Sequence, residues 1–318
     1  MARPAITDEE FIELFPKIGA TQMHHQTGVS ERHIYDRRRR LEQLHNIVIP
    51  APRAEEPVRA KYPGRINLEI RNGTVLVGSD FHIWPGEEST CLRAFKKFVS
   101  DIRPDTIVLN GDVMDFPRIS RHPQSWEKAP DPIEEIEAAQ DHLSDIVKRA
   151  KRGTNLLWTL GNHDARFENM FANAVPLMRK IKGVHLSDHF SIWRKAMSCM
   201  VNEGREGGAT MIKHRYKGGM HATRNNTLNA GISIVTGHLH SANVRPISDY
   251  SRYDRYGVDT GCVADKNHRA FGYTEDSPLD WRSAFGLLTY RDWLLMFPEL
   301  IVKWDDDAVQ FRSEVIKV

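Results

Sequence analysis

Residues 74–82 read TVLVGSDFH, a β-branched apolar run that ends in Asp80 and His82. Four later runs end equally abruptly in an acid, an amide or an imidazole: TIVLNGD, LLWTLGNHD, ATMIKH and ISIVTGHLH. Such runs are typical of buried strands in an α/β sheet, where ligands gather beyond the carboxyl ends of the strands. We therefore expect the polar ends of these strands to meet at one rim.

The side chains expected at this rim are two carboxylates, one amide and four imidazoles. They are Asp80, His82, Asp112, Asn162, His214, His238 and His240. This set is too large for one metal ion and about right for two. Mixed nitrogen and oxygen donors suit manganese, iron or zinc better than calcium. The sequence predicts a site for two divalent metal ions, with manganese as the first candidate.

Composition limits the class of protein. The chain has 318 residues, 40% of them hydrophobic, which gives room for one large domain and a small one. Its net charge is only +2, so any binding of a polyanion must be local. Three scattered cysteines without C-x-x-C spacing argue against a disulfide framework and a thiolate zinc site. The oligomeric state is left open by the sequence.

The sequence pattern predicts neither a membrane-spanning helix nor a secretory signal. No run approaches the roughly eighteen apolar residues of a membrane helix. The first residues, MARPAITDEEFIELF, carry acids where a secretory peptide has a positive flank. We expect a cytoplasmic protein that does not contact a membrane.

The pattern along the chain predicts two domains and a linker. Residues 1–45 are expected to form three helices, the first opened by a Thr7–Glu10 capping box and the third capped by Ser30. Residues 46–65 contain four prolines and are expected to be a linker. Residues 66–318 alternate strands and helices and end in further strands. INLEI and TVLVG are expected to pair around a turn at 71–73.

This pattern indicates an α/β fold: a two-sheet β-sandwich flanked by helices. A small all-α domain with helix-turn-helix-like spacing precedes it.

Five motifs occur in a fixed order, each after an apolar run. They are D-x-H (80–82), G-D (111–112), G-N-H-D (161–164), a later strand-end His and G-H-x-H (237–240). Each motif alone is weak, but five in order are specific. From residue 74 to about 262 the chain resembles the calcineurin-like metallophosphoesterase superfamily. The resemblance implies the fold of that superfamily and metal-dependent hydrolysis of phosphoesters.

The resemblance also implies which residues hold each metal. The first ion would be held by Asp80, His82, Asp112 and His240. The second ion would be held by Asp112, Asn162, His214 and His238. Two cations roughly 3.5–4 Å apart acidify a bridging water to hydroxide and clamp the phosphoryl oxygens during in-line attack.

Four further residues receive roles in the reaction. The resemblance implies that His163 stabilises the transition state or protonates the leaving oxygen, and that Asp164 fixes the tautomer of His163 and raises its basicity. Arg166 and Arg118 are candidates to hold the substrate phosphate, because phosphoryl transfer depends on positioning and charge neutralisation.

One position departs from the superfamily pattern. The later strand-end His is usually followed by Gly, whereas His214 is followed by Arg215. His221, in GGMH, is therefore an alternative ligand. We favour His214 because it ends the apolar run ATMIK.

The amino-terminal segment QMHHQTGVSERHIYDRRRRLEQL has a short helix, a Gly-containing turn and a basic helix. In helix-turn-helix geometry, Ser30, Arg32, His33 and Arg37 would face the major groove of DNA. The alternative is a helical module for docking or dimerisation, whose arginine run is a solvated face.

Together, a metal site and a nucleic-acid anchor favour a nuclease or phosphodiesterase that acts on DNA. The chain is similar to bacteriophage-encoded calcineurin-like phosphoesterases with a small helical segment before the catalytic domain, and more distantly to the repair exonucleases of the superfamily. A phosphomonoesterase is the first alternative, although GDVMDF and GNHD differ from the Ser/Thr phosphatase pattern. A DNA-binding regulator with a structural metal domain is the second.

Overall fold

The computed structural model describes residues 6–52, 62–120, 129–250, 253–274 and 279–318. The chain divides into two compact units, Met1–Lys61 and Tyr62–Val318. The predicted linker, 46–65, spans this division, and residues 53–61 of it lie outside the described residues. In the described ranges, no helix is long and apolar enough to cross a membrane.

The described residues of the first unit, 6–52, form helices α1 (Asp8–Thr27) and α2 (Glu31–His45). Thr7 and Glu10 form the predicted capping box of α1, and Ser30 caps α2. Gly19, at φ 73° and ψ 178°, breaks α1 into two helical segments. Three helical segments are therefore present, as the sequence predicts.

A small core holds these helices together. Its buried side chains are Phe11, Phe15, Ala20, Met23, Ile34, Leu41 and Ile49. Ile49 lies in the predicted linker, and its main-chain N–H donates to Glu42 Oε1 at 3.0 Å. The start of the linker is thus packed against the helices rather than free of them.

The second unit contains two sheets in its described residues. The smaller sheet is built from β1 (Ile66–Leu68), β6 (Cys199–Val201), β7 (Thr210–Ile212), β8 (Ser233–Thr236), β9 (Asn243–Ile247) and β10 (Arg255–Asp259). The larger sheet is built from β2 (Gly73–Gly78), β3 (Thr106–Leu109), β4 (Asn155–Thr159), β5 (Arg194–Ala196), β11 (Ala284–Arg291), β12 (Leu294–Leu295), β13 (Glu299–Asp305), β14 (Ala308–Phe311) and β15 (Glu314–Lys317).

Helices flank these sheets. They are α3 (Thr90–Ile102), α4 (Pro132–Arg149), α5 (Asp164–Ala174), α6 (Leu186–His189) and α7 (Ala222–Ala230). Short 3-10 turns span Pro117–Ile119, Pro176–Lys180 and Arg269–Thr274.

The strand order brings the motif-bearing strand ends together. The smaller sheet runs β1-β6-β7-β8-β10-β9, and the larger runs β15-β14-β13-β11-β2-β3-β4-β5, with β12 beside β11. Strands β2, β3, β4 and β5 are parallel neighbours, and so are β7, β8 and β10. Parallel neighbours end at the same edge, so the loops after them share one rim.

Alternation along β2 explains why its sequence is apolar throughout. Leu76 packs with α3 and α4 in one core cluster. Val75 and Val77 point the other way, into a second cluster with Val235 and Val258 of the smaller sheet. A strand buried on both faces needs apolar side chains at every position. The predicted two-sheet sandwich with flanking helices is confirmed.

The predicted pairing of INLEI with TVLVG is wrong. Strand β1 pairs with β6 in the smaller sheet, whereas β2 belongs to the larger one. Buried Asn202 holds the crossing between them, because its Oδ1 accepts from the Ile70 N–H at 2.7 Å and its Nδ2 donates to the Ile70 carbonyl at 2.8 Å. The turn residues therefore connect two sheets rather than two paired strands.

Candidate functional site

The predicted metal ligands lie in loops that directly follow five strands. β2, β3 and β4 supply ligands from the larger sheet, and β7 and β8 supply them from the smaller one. The buried members are Asp80, His82, Asp112, His214 and His240. His238 is exposed and Asn162 is half-buried. The cluster therefore opens to solvent on the His238 side.

Asp112 is at the centre of one half of the cluster. Its Oδ2 lies 3.0 Å from His214 Nε2, and its Oδ1 accepts from the His163 main-chain N–H at 2.8 Å. A Cβ on Gly161 would lie 2.1 Å from Asp112 Oδ1, so only glycine leaves room for this carboxylate. Asp112, His214 and His238 offer ligand atoms within 4.8 Å of one another.

Asp80 is at the centre of the other half. Its Oδ1 lies 3.0 Å from His240 Nε2 and 4.0 Å from Nε2 of both His82 and His214. Asp80, His82 and His240 form a second group with ligand atoms within 4.8 Å. Because His214 approaches both carboxylates, the two halves form one continuous cluster.

Several buried polar atoms of this cluster have no hydrogen-bond partner. They are His82 Nε2, His214 Nε2, His240 Nδ1 and Asn162 Oδ1. The Nδ1 atoms of His82 and His214 contact Asp115 Oδ1 at 3.1 Å and the Asn110 carbonyl at 2.8 Å. Each Nδ1 then carries the proton, so each Nε2 presents a lone pair when the ring is neutral. Unsatisfied buried acceptors are costly, and these residues fit bound divalent metal ions.

The electrostatics of the cluster favour added positive charge. Burial alone would lower the pKa of His214, but the Asp112 and Asp80 carboxylates raise it to about 10. Burial alone would raise the pKa of Asp112, but His214 and His163 hold it well below its usual range. Two buried carboxylates therefore attract cations, and divalent ions satisfy this requirement without added protons.

The backbone at the cluster is strained. Five predicted ligands have left-handed φ values: Asp80 (55°), His82 (41°), Asp112 (50°), His238 (71°) and His240 (57°). Non-glycine residues rarely adopt this conformation, and each costs on the order of 1–3 kcal/mol. Such strain concentrates at functional sites, where it aims side chains at a common point.

Comparison with known proteins agrees with this geometry. Residues 73–205 match the sequence profile of the family described as calcineurin-like phosphoesterase. This segment therefore matches a calcineurin-like phosphoesterase domain. The matched segment holds Asp80, His82, Asp112 and Asn162, and the imidazoles of β7 and β8 follow it along the chain. The predicted family resemblance is confirmed.

Two phage proteins are similar to most of the chain. The Gene 54 protein of Mycobacterium phage D29 is 25% identical over 247 residues, covering 71% of this chain and 92% of that protein. The Gene 54 protein of Mycobacterium phage L5 is 24% identical over 249 residues, with the same coverage.

Solved structures are similar at lower identity. Wild-type Vps29 of Entamoeba histolytica complexed with zinc is 14% identical, with a TM-score of 0.41 over 77% of this chain and 98% of that chain. The phosphoesterase Yfce of E. coli is 12% identical, with a TM-score of 0.33 over 76% of this chain and 96% of that chain.

His163 lies at the edge of the metal cluster in the phosphoesterase domain. Its Nε2 is 3.8 Å from Asp112 Oδ2, and its Nδ1 lies 2.6 Å from Asp115 Oδ1. Asp115 also contacts Nδ1 of His82, so one carboxylate orients two imidazoles. Glu135 of α4 fixes the Asp115 loop by accepting its main-chain N–H at 2.9 Å. Sequence reasoning missed Asp115, whose only signal is its position three residues after Asp112.

The prediction that Asp164 orients the His163 ring is wrong. Asp164 is fully buried, and its carboxylate accepts from the main-chain N–H groups of Asp112, Val113 and Gly161 at 2.8–3.0 Å. It also accepts from Trp158 Nε1 at 2.9 Å. Asp164 therefore shapes the backbone that carries Asp112, while Asp115 is the carboxylate paired with His163.

The two candidate arginines lie in different surroundings. Arg166 donates to His163 Nε2 at 3.2 Å and to the Asp115 carbonyl at 2.7 Å, which places it at the cluster. Arg118 is paired with Asp131, the N-cap residue of α4. Arg166 thus lies at the cluster with His163 and Asp115 as its partners, whereas Arg118 is paired with Asp131.

The structure also separates the two candidate histidines. His214 contacts Asp112 at 3.0 Å. His221 is exposed and occupies the N-cap position of α7. The geometry supports His214 as the ligand.

The predicted DNA-contacting residues lie at the start of α2. Arg32 and His33 are exposed. Ser30 caps the helix and contacts His33 Nδ1 at 2.8 Å. Arg37 is instead engaged within its own unit, because its Nη2 lies 2.5 Å from Asp8 Oδ1 and donates to the Ile6 carbonyl at 2.8 Å. Arg37 therefore does not offer a free guanidinium to a ligand.

Proposed function

We propose that the phosphoesterase domain is a two-metal phosphodiesterase that hydrolyses nucleic acid, with DNA as its substrate. The observation that carries the proposal is the single cluster in which unpartnered imidazole nitrogens surround Asp80 and Asp112, with His163 at its edge. A phosphodiester needs charge neutralisation on its oxygens and a proton for its leaving group. The cluster and His163 are placed to meet these two needs.

Two sets of residues would hold the metal ions. Asp80, His82 and His240 would bind one, and Asn162, His214 and His238 would bind the other, with Asp112 between them. Manganese is the first candidate because the donors are nitrogen and oxygen, with iron and zinc as alternatives. When bound, such ions polarise phosphoryl oxygens and lower the pKa of an attacking water.

The protein supplies the remaining parts of the mechanism through three side chains. Asp115 holds Nδ1 of His163, which fixes the ring and directs Nε2 toward the Asp112 side of the cluster. In this proposal, Arg166 turns from His163 to the substrate, and the protonated (imidazolium) form of His163 gives its Nε2 proton to the leaving oxygen. Arg166, beside His163, binds a phosphate oxygen and keeps the scissile group in line.

The preference for DNA rests on the amino-terminal unit. The short turn between α1 and α2 and the exposed Arg32 and His33 at the start of α2 suit a helix that enters the major groove. Tethering such an anchor to a phosphoesterase raises the local concentration of phosphodiesters. Because both curated relatives are phage proteins, we place this activity in an infected host cell.

Hydrolysis assays test the proposal. Full-length protein with manganese is incubated with end-labelled single- and double-stranded DNA, a phosphomonoester and a small phosphodiester, beside Asp112→Asn as the control for contaminants. DNA cleavage that is lost in Asp112→Asn is the expected result. Turnover of the monoester alone would replace the proposal with the phosphatase alternative. DNA binding without hydrolysis of any substrate would favour the regulator.

A further inference from the structure

A basic groove lies beside the exposed edge of the metal cluster. It is a cavity of about 280 Å³ whose lining includes Arg215, Tyr216, Lys217 and His238. We propose that this groove is a subsite for single-stranded nucleic acid, in which Arg215 and Lys217 bind phosphates next to the scissile one and Tyr216 stacks on a base. The inference rests on the proposed function in so far as the bound strand is cleaved at the metal cluster. The binding of the strand itself does not depend on that function.

Among the described residues, the cations of the groove have no acidic partners. Within 62–120, 129–250, 253–274 and 279–318, neither Arg215 nor Lys217 forms an ion pair, and both are exposed. Arg166 at the cluster is, by contrast, engaged with Asp115 and His163. Unpaired cations beside a phosphoester site are available to a polyanion and release counterions when they bind it.

Tyr216 provides a stacking surface between two positive charges. Tyr216 is 45% exposed. Lys213 Nζ lies 5.1 Å and Lys217 Nζ 5.8 Å from the centroid of its ring. An aromatic ring interleaved with cations is the arrangement that binds unpaired bases along a phosphate backbone. Bases in a duplex do not expose their faces, so this arrangement favours a single strand.

The loop that carries these residues is held rigidly. Asn226 of α7 is 1% exposed, and its side chain accepts from the Lys217 N–H at 3.1 Å and donates to the Lys217 carbonyl at 3.0 Å. The Gly237 N–H donates to the His214 carbonyl at 2.9 Å, which ties the loop to the strand end that carries His238. Binding therefore costs little ordering of the loop, and phosphates are positioned relative to the metal cluster.

The cavity on the His240 side has the opposite character. It measures about 600 Å³, and Trp281, whose ring centroid is 4.4 Å from that of His240, lines it. Its acidic lining residues are Glu87, Glu88, Asp265, Asp305 and Asp306. Lys303 in this cavity contacts both Asp265 and Asp306 at 2.8 Å. Lys266, Arg282 and Lys303 also line this cavity, so acids outnumber Lys and Arg five to three, and the groove on the His238 side is the more favourable path for a polyanion.

Binding measurements test the inference separately from catalysis. The full chain carrying Asp112→Asn, so that the probe is not cleaved, is titrated into a labelled mixed-sequence single-stranded DNA at several salt concentrations, and anisotropy gives Kd. Arg215→Ala and Lys217→Ala are each added to this background. Lys266→Ala, an exposed lysine of the acidic cavity, is the charge-matched control.

We expect Arg215→Ala and Lys217→Ala each to weaken binding and to reduce the slope of log Kd against log salt by about 0.7, the value for one lost phosphate contact on a single strand. Tyr216→Leu should weaken binding by roughly fivefold or more without changing that slope. Lys266→Ala should change neither quantity. The thermal unfolding midpoint of each variant shows that it is folded.

Equal losses in Lys266→Ala and Lys217→Ala would overturn the subsite, and so would unchanged binding in Arg215→Ala. Duplex that binds as tightly through the same residues would overturn its single-strand character. Loss of binding in the groove variants, from a wild-type chain that cleaves no diester, would leave the subsite standing and remove the proposed function. If the wild-type chain cleaves DNA but the groove variants bind it as tightly as before, the proposed function stands and the subsite is overturned.

Discussion

The phosphoesterase domain and the amino-terminal unit satisfy their polar groups in opposite ways. In the domain, buried atoms such as His82 Nε2, His214 Nε2 and Asn162 Oδ1 have no partner in the protein. In the amino-terminal unit, Arg37 and Arg40 of the arginine run are both engaged with Asp8. Orphaned buried atoms indicate a missing ligand, whereas paired surface cations indicate internal structure. A run of charged or metal-binding residue types in a sequence can therefore mark either a ligand site or contacts that hold the protein itself together.

The largest expected effect comes from the carboxylate shared by the two halves of the cluster. Asp112→Asn removes the charge that would lie between two metal ions, so we expect the rate with a small phosphodiester to fall roughly 10³-fold or more. Metal content of the purified variant, measured by mass spectrometry, should fall with it. Full metal content and a rate within tenfold of wild type would show that the unpartnered atoms do not serve metal binding.

Asp115→Asn tests the residue that sequence reasoning missed. Losing its charge weakens the orientation of both His82 and His163, and we expect a rate loss of about 10–100-fold. Glu203→Gln, which alters an exposed ion pair with Arg65, is the control and should leave the rate unchanged. Equal rates in Asp115→Asn and wild type would remove Asp115 from the mechanism.

Gly161→Ala tests the close packing around Asp112. A Cβ there would lie 2.1 Å from Asp112 Oδ1, so the carboxylate or the loop must move. We expect the free energy of unfolding to fall by about 1–3 kcal/mol, together with a loss of activity. Gly64→Ala is the matched control, since its Cβ meets nothing within 4 Å. A Gly161→Ala variant with wild-type stability and activity would show that the packing around Asp112 does not require glycine at this position.

Arg37→Ala should have the smallest effect, confined to the amino-terminal unit. We expect faster hydrogen exchange of α1 and α2 than in Arg39→Ala, because the Arg39 side chain is 75% exposed and only 3.9 Å from Asp36. Hydrogen bonding with Arg37 lowers the pKa of Asp8 from its ordinary 3.8. The stability from this pair is therefore present above about that pH and is lost as the pH falls below it. A difference between the variants that persists at low pH would assign another role to Arg37.

The sequence was informative where one local pattern has one physical outcome. An apolar run followed by Asp or His at a strand end placed Asp80, Asp112 and His214 correctly, because parallel strands end at the same edge. Capping by Thr7 and Ser30 was equally local.

Partners in tertiary structure were not predictable in this way. In the motif GNHD, Asp164 directly follows His163, yet the Asp164 carboxylate accepts from three main-chain N–H groups. The carboxylate that contacts the His163 ring is that of Asp115, from a neighbouring loop. A short turn such as 71–73 is compatible with pairing in one sheet or with a crossing between two. Here the buried side chain of Asn202, which is distant in sequence, holds the crossing.

The ligands are divided between the sheets, with the carboxylates on the larger sheet and most imidazoles on the smaller one. Metal ions bound by both sets of ligands would cross-link the two sheets, and the free energy of metal binding would add to the stability of their packing. The free metal concentration in solution would then determine how much free energy is needed to separate the two sheets. A chelator would therefore lower the stability of the domain as well as abolish hydrolysis.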